Sequence, residues 1–156
     1  MPTNALSRAA DATARLEIHQ VAKYLTDHLG STLTAAMANG LSGDMACRWA
    51  IAPGELNHSA PRAGEACRLR AAHTVAVAIG NEYGDEIPRV WFLAGNLRLR
   101  TLPPADLIRQ GDLAGAFAAA LTFLEHTDSG SPRGRPTRTQ PPPGRPRYTR
   151  VEAAIL

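Results

Sequence analysis

Residues 87–111 read Ile-Pro-Arg-Val-Trp-Phe-Leu-Ala-Gly-Asn-Leu-Arg-Leu-Arg-Thr-Leu-Pro-Pro-Ala-Asp-Leu-Ile-Arg-Gln-Gly, and their punctuation decides the class of fold. Pro88 suits the first turn of a helix, where its missing N–H would have had no intrahelical partner. Ile87, Val90, Trp91 and Ala94 then recur at i, i+3, i+4 and i+7, which is one apolar helix face. Gly95 and Asn96 tolerate the left-handed conformation of a C-cap, so the helix stops there. Pro104 can open a second helix, Leu107 and Ile108 give it an apolar side, and Gly111 closes it. The stretch is two short helices around a loop, with Trp91 as the largest anchor. Core packing is the plain role for Trp91; Phe92 falls off its stripe and is either second-side core or an interface residue.

The same helical period runs outward in both directions. Leu113, Phe117, Leu121 and Leu124 mark a further amphipathic helix over residues 113–125. Upstream, residues 65–79 form a strong helix with Leu69, Ala72, Ala76 and Ile79 inward, closed by Gly80 and Asn81. Arg68 and Arg70 read as solvated charge on its surface. Glu82, Asp85 and Glu86 follow as an acidic turn, favourable before a helix N-terminus. Residues 18–29 carry Ile18, Val21, Leu25 and Leu29 on one side and end at Gly30. Ser31 can cap a short helix with Leu33, Ala36 and Met37 inward, which Asn39 and Gly40 break. Ser42 can cap the next, with Met45, Ala46 and Trp49 inward. Residues 1–12 are small and polar and are expected to fray.

A short helix, a Gly turn and a second short helix have the spacing of a helix-turn-helix, where small residues let the helices cross closely. The outward positions of the second helix are Ser42, Gly43, Asp44, Cys47 and Arg48. Ser42, Gly43 and Arg48 are the candidate DNA contacts, Arg48 being the good phosphate or guanine partner, while Asp44 repels the backbone. A DNA reader and a merely structural tri-helical unit both fit.

The chain has 156 residues, 44% of them hydrophobic but 5% aromatic, which is room for one helical domain. β-branched runs are short, so the class is all-α. No apolar run is long enough to span a membrane and no secretory leader is visible, which gives an expected cytoplasmic location. Cys47 and Cys67 form no C-x-x-C pair and read as two buried, reduced thiols. The sequence pI is about 9.3, yet the charge is uneven. Residues 127–156 carry six Arg against Asp128 and Glu152, whereas residues 1–126 hold 11 basic and 12 acidic side chains. Attraction to nucleic acid therefore resides mainly in this basic tail. Its Pro, Arg, Gly, Ser and Thr cannot bury enough apolar surface to offset ordering entropy, so disorder is expected over residues 127–156. The small apolar run of residues 151–156 stands apart and either docks somewhere or does nothing.

Catalytic machinery is not visible. The glycines are scattered and none cradles a phosphate after a strand. His19, His28, His58, His73 and His126 are isolated, and His73 reads as a hydrogen-bonded core or boundary imidazole. Cys47, Cys67 and His58 make an incomplete zinc set. The expectation is a non-enzyme that needs no cofactor or metal.

Several pieces taken together resemble antitoxins of the Xre/MbcA/ParS type, partners of RES-domain toxins, across residues 24–126. They are Leu29-Gly30, Arg48-Trp49-Ala50, Arg68-Leu69-Arg70-Ala71-Ala72, Arg89-Val90-Trp91-Phe92, Gly95-Asn96, Arg98-Leu99 and the run from Pro104 to Gly111. The chain departs from the family at Leu97, where a Pro is usual, at Arg100-Thr101 in place of a Gly pair, and at Pro103 in place of Ser or Thr. Composition and resemblance together give a flexible N-terminus (1–12), a helix-turn-helix-like region (13–58), a helical toxin-binding region (59–126) and, outside the resemblance, the basic tail (127–156). The resemblance further implies a type II antitoxin, working as a homo-oligomer, that occludes a RES-type NAD-consuming toxin and represses its own operon. The candidate toxin contacts are Phe92, Asn96, Arg98, Arg100 and Arg109, because Arg and aromatic residues dominate interface hot spots. The alternative is a helix-turn-helix transcriptional regulator without a toxin partner.

Overall fold

The structure, a computed structural model, describes residues 2–95 and 102–128. Among the described residues it is all-helical: α1 (Pro2–Ala14), α2 (Ile18–Leu29), α3 (Ser31–Ala38), α4 (Gly43–Trp49), α5 (Ala63–Tyr83), α6 (Ile87–Leu93), α7 (Pro104–Gln110) and α8 (Leu113–Asp128). Of the expected loop over residues 96–103, residues 96–101 lie outside the described residues, as does most of the expected disordered tail.

Helix α5 is the axis of the molecule. Its 21 residues span roughly 32 Å at 1.5 Å per residue, and α1, α2, α3, α6, α7 and α8 all pack on it. Leu69, Ala72, Val75, Ala76, Ala78 and Ile79 are buried, and small side chains on several sides let that many neighbours approach. A helix apolar most of the way round belongs inside a bundle. The expected stop at Gly80 and Asn81 is not taken. Gly80 is buried within the helix, which runs on to Tyr83 and ends at Gly84, whose φ of 102° excludes most side chains. The Tyr83 ring meets the Phe123 ring edge-on at 5.3 Å, and that contact holds the extra turn.

Nor do residues 1–12 stand as a frayed end. Residues 2–12 belong to α1, which buries Ala5, Ala9 and Thr13, four residues apart, against α5 and α8. Alanine spacing carries little hydrophobic weight in a sequence, yet it lets backbones approach closely. Arg70, expected to be solvated, donates from Nη1 to the Thr13 carbonyl at 2.9 Å and so caps the end of α1. Arg68 is also partly sheltered, donating to the Gly64 carbonyl at 3.2 Å.

Helices α2, α3 and α4 form the helix-turn-helix-like unit. The Glu17 N–H donates to Gln20 Oε1 at 2.9 Å, half of a capping box that starts α2. Gly30, rather than Ser31, stands at the cap of α3, and Asn39 ends it in the left-handed conformation. At Gly40 an added Cβ would lie 2.9 Å from the Trp49 ring, so the turn is pressed onto the largest fully buried side chain among the described residues. In α8 the buried line is Ala116, Ala120 and Leu124, with Leu113, Phe117 and Phe123 packed beside it. Leu121, expected on that line, stays half-buried.

Cys47 and Cys67 are both exposed and unbridged, which corrects the expectation of buried thiols. Helical register decided this. Cys47 follows buried Ala46, and Cys67 precedes buried Leu69 by two positions, so both face out. No helix among the described residues is long and apolar enough to cross a membrane.

Candidate functional site

Helix α6 has seven residues, carries Pro88 in its first turn and buries Pro88, Trp91 and Phe92. The expected face of Ile87, Val90, Trp91 and Ala94 packs only in part: Trp91 is in the core and Ile87 rests against it, whereas Val90 is 64% exposed and Ala94 is exposed too. Two adjacent aromatics go inward because α6 is held from two sides. Trp91 lies 6.2 Å from the Phe123 ring of α8, while Phe92, at 73° to Trp91 and 5.1 Å away, points between α3 and α7. With both rings inside, Val90 and Leu93 are turned to solvent three positions apart.

A groove of about 420 Å³ opens where α3, α6 and α7 meet. Met37 and Phe92, both fully buried, form its floor, and Leu33, Leu93, Pro103 and Ala105 form its walls. Leu33, Ala36 and Met37, read from the sequence as an inward face, are the face that α3 gives to this groove, while Thr34, Ala35 and Ala38 go to the core. Leu93 is 56% exposed at the lip, and Leu102, beside Pro103, is 46% exposed. Pro104 starts α7, and Gly111 ends it in the left-handed conformation. Between them Arg109 Nη2 pairs with Asp106 Oδ1 at 3.2 Å on the rim, half in solvent, where an ion pair contributes about 0–1 kcal/mol.

Of the candidate toxin contacts, Arg109 is on this rim. Phe92 belongs to its floor with no surface exposed, so it shapes the groove from below rather than reaching a partner. Asn96, Arg98 and Arg100 lie outside the described residues. Leu33, Met37, Leu93 and Ala105 were missed as site residues. The signal was there for Leu33 and Met37, which stand four apart on α3, but nothing in the sequence says that α7 crosses in front of them.

The candidate DNA contacts are scattered in role. Ser42 stands at the cap of α4 in an extended conformation but makes no capping bond. At Gly43 an added Cβ would sit 3.0 Å from Ser31 Oγ, so this position is packed against the start of α3 and does not face outward. Arg48 is exposed, but its Nε is 3.0 Å from Asp44 Oδ2, one turn earlier on the same face.

The polar core lies away from the groove. Thr13 Oγ1 is 2.8 Å from the Ala9 carbonyl oxygen and 2.7 Å from His73 Nδ1, and Thr74 Oγ1 donates to it at 3.1 Å. With the Thr13 proton given to Ala9, the ring donates from Nδ1. Tyr24 meets the His73 ring edge-on at 4.7 Å and stacks on His28 at 4.0 Å. Burial, then the charges of Arg70 and His28, push the His73 pKa down to about 4. The buried, hydrogen-bonded imidazole expected of His73 is what the structure places there. His58 Nδ1 meets the Ile51 carbonyl at 2.7 Å, and among the described residues no three His, Cys, Asp or Glu side chains are grouped to hold a metal ion.

Compared with known proteins, the chain matches no family model, no curated protein and no solved structure.

Proposed function

We propose that this protein is an antitoxin of a type II pair, a stoichiometric inhibitor that binds a RES-type, NAD-consuming toxin in the cytoplasm and has no chemistry of its own. The observation that carries the reading is the surface around the α3–α6–α7 groove. Val90, Leu93 and Leu102 are three of the five exposed large hydrophobic side chains among the described residues, and all three belong to this segment. Clustered apolar exposure with a polar rim is the usual mark of a protein-binding patch. The resemblance of residues 24–126 to the antitoxin family points to the same segment. In this reading Leu93 and Val90 are the apolar anchors and Arg109 is a polar rim contact.

The test is co-expression with the toxin encoded beside it. Growth should be rescued by the natural chain and not by Leu93→Asp, with the helical circular dichroism of the variant unchanged. Rescue by the variant equal to that by the natural chain, or no toxin retained on the purified protein, would overturn the reading.

DNA binding by the α3–α4 unit, as an autorepressor or as a regulator without a toxin, is the second reading. The tight turn at Gly40 favours it, since that turn leaves the Asp44, Cys47 and Arg48 side of α4 in solvent.

A further inference from the structure

We propose that residues 151–156, Val-Glu-Ala-Ala-Ile-Leu, seat in the α3–α6–α7 groove of the same chain and compete there with the protein partner. The competition rests on the antitoxin reading; the seating does not.

The first argument is composition. Residues 129–150 contain no Ala, Val, Leu, Ile, Met, Phe or Trp, and the next six contain five apolar residues. A hydrophilic linker that delivers one short aliphatic cluster has the form of a tethered ligand. The groove has the matching chemistry, an aromatic and thioether floor between aliphatic walls. Its volume of about 420 Å³ is near the lower end of the roughly 300–1,000 Å³ range of concave ligand sites, suited to two or three side chains.

Reach is the second argument. Treated as a random coil, the 22 residues 129–150 would have a root-mean-square span of about 26 Å at 5–6 Å times the square root of their number. A folded body of this size has a radius of gyration of about 14 Å. The groove is therefore within ordinary reach of the end of α8. Such tethering supplies an effective concentration on the order of millimolar, so a contact too weak to be seen in trans is well occupied in cis.

Charge is the third. Arg150 and Glu152 bracket Val151, and the groove rim carries the opposite pair in Asp106 and Arg109. Exchange of partners sets the register of the segment and adds little affinity. The cleft between α1 and α5, about 390 Å³, is a poorer seat. Arg8, Asn81 and Glu82 share its lining with Ala5, Ala9, Ala12, Val77 and Ala78, so no large apolar wall is offered.

The experiment is methyl and amide NMR on the full chain, comparing the natural sequence with Ile155→Asp and with Leu93→Asp. Leu93 is exposed on the groove lip, and unchanged helical circular dichroism of both variants verifies that the fold is kept. The expected result is a shift of the Leu33, Met37 and Leu93 methyl signals in Ile155→Asp, and in Leu93→Asp a collapse of the 151–156 amides onto linker-like relaxation. Unchanged groove methyls would overturn the proposal. So would shifts confined to Ala5, Ala9 and Ala12, which would place the segment in the other cleft, or shifts that vanish on dilution, which would assign it to a second copy. No partner is present in this comparison, so toxin capture can fail without touching it. Where the toxin is captured, a groove covered about nine-tenths of the time weakens its binding roughly tenfold, and Ile155→Asp should restore that factor; equal affinity would overturn the competition.

Discussion

Thr13 and His73 stand 60 positions apart in the chain, and their side chains meet at 2.7 Å inside the protein. This contact joins the end of α1 to the middle of α5. Its physical consequence is a pH dependence of stability. Burial and the Arg70 and His28 charges hold His73 neutral down to about pH 4 in the folded state, against 6.5 in an ordinary environment. An unfolded chain binds the proton first, so stability is full above about pH 6.5, falls as pH drops toward about 4, and levels off below. At 1.36 kcal/mol per pH unit the loss attributable to this ring is about 3 kcal/mol. Urea titrations across that range measure it, and His73→Phe should remove most of the slope.

Thr13→Val should cost about 1–3 kcal/mol, because it leaves the buried His73 Nδ1 without its partner. The loosening should be local as well as global. Hydrogen exchange in α1 should accelerate more than exchange in α4, which does not touch this network. Equal acceleration everywhere would mean that α1 is not held by it.

Gly40→Ala tests the turn of the helix-turn-helix-like unit. The new methyl would meet the Trp49 ring at 2.9 Å, and that ring is fully buried, so either it or the turn must shift. Overpacking of this kind costs about 1–3 kcal/mol, read as a lower melting temperature with altered Trp fluorescence. A neutral effect would show that the turn has slack.

Phe92 and Leu93 are neighbours with opposite expectations. Phe92→Ala removes a fully buried ring and should destabilise by about 3–5 kcal/mol, whereas Leu93→Ala at the exposed lip should change stability by about 0.5 kcal/mol or less. Partner capture should fall for Leu93→Ala at unchanged stability. Calorimetry of both variants and a pull-down of the second decide the matter.

Asp44→Ala probes the DNA reading. It releases Arg48 from its 3.0 Å ion pair and removes a like charge from the face offered to phosphate. Operator affinity, followed by fluorescence anisotropy at two salt concentrations, should rise, and Arg48→Ala should lower it. If neither change matters while removal of residues 129–156 does, the binding is the nonspecific electrostatics of the Arg-rich segment.

Local rules located the short helices well. Pro88 and Pro104 stand in first helical turns because proline fixes φ and lacks a donor, and Gly30, Asn39 and Gly111 end helices because they tolerate positive φ. Glycine at position 80 misled for a physical reason: its propensity cost is about 1 kcal/mol, and it is opposed by burial in the bundle and by the packing of Tyr83 on Phe123. Alpha1 was missed because Ala5, Ala9 and Thr13 look unremarkable until α5 is seen to offer its own small residues and His73 opposite them. The candidate site was half legible. Periodicity marked residues 87–111 as two short helices around a loop, but it put Val90 inside and left Phe92 open between core and interface, since periodicity finds one apolar face and a helix clamped from two sides has two.

What the sequence by itself determined is the helical class, the sites of most breaks between helices and the uneven charge of the chain, all consequences of forces that act within a few residues. What the tertiary structure decided is which side of each helix is inside, that both thiols face solvent, and that Leu33, Met37, Phe92 and Leu93 share one groove. Those follow from packing between segments far apart in the chain, where the free energy of closing one surface over another outweighs local preference.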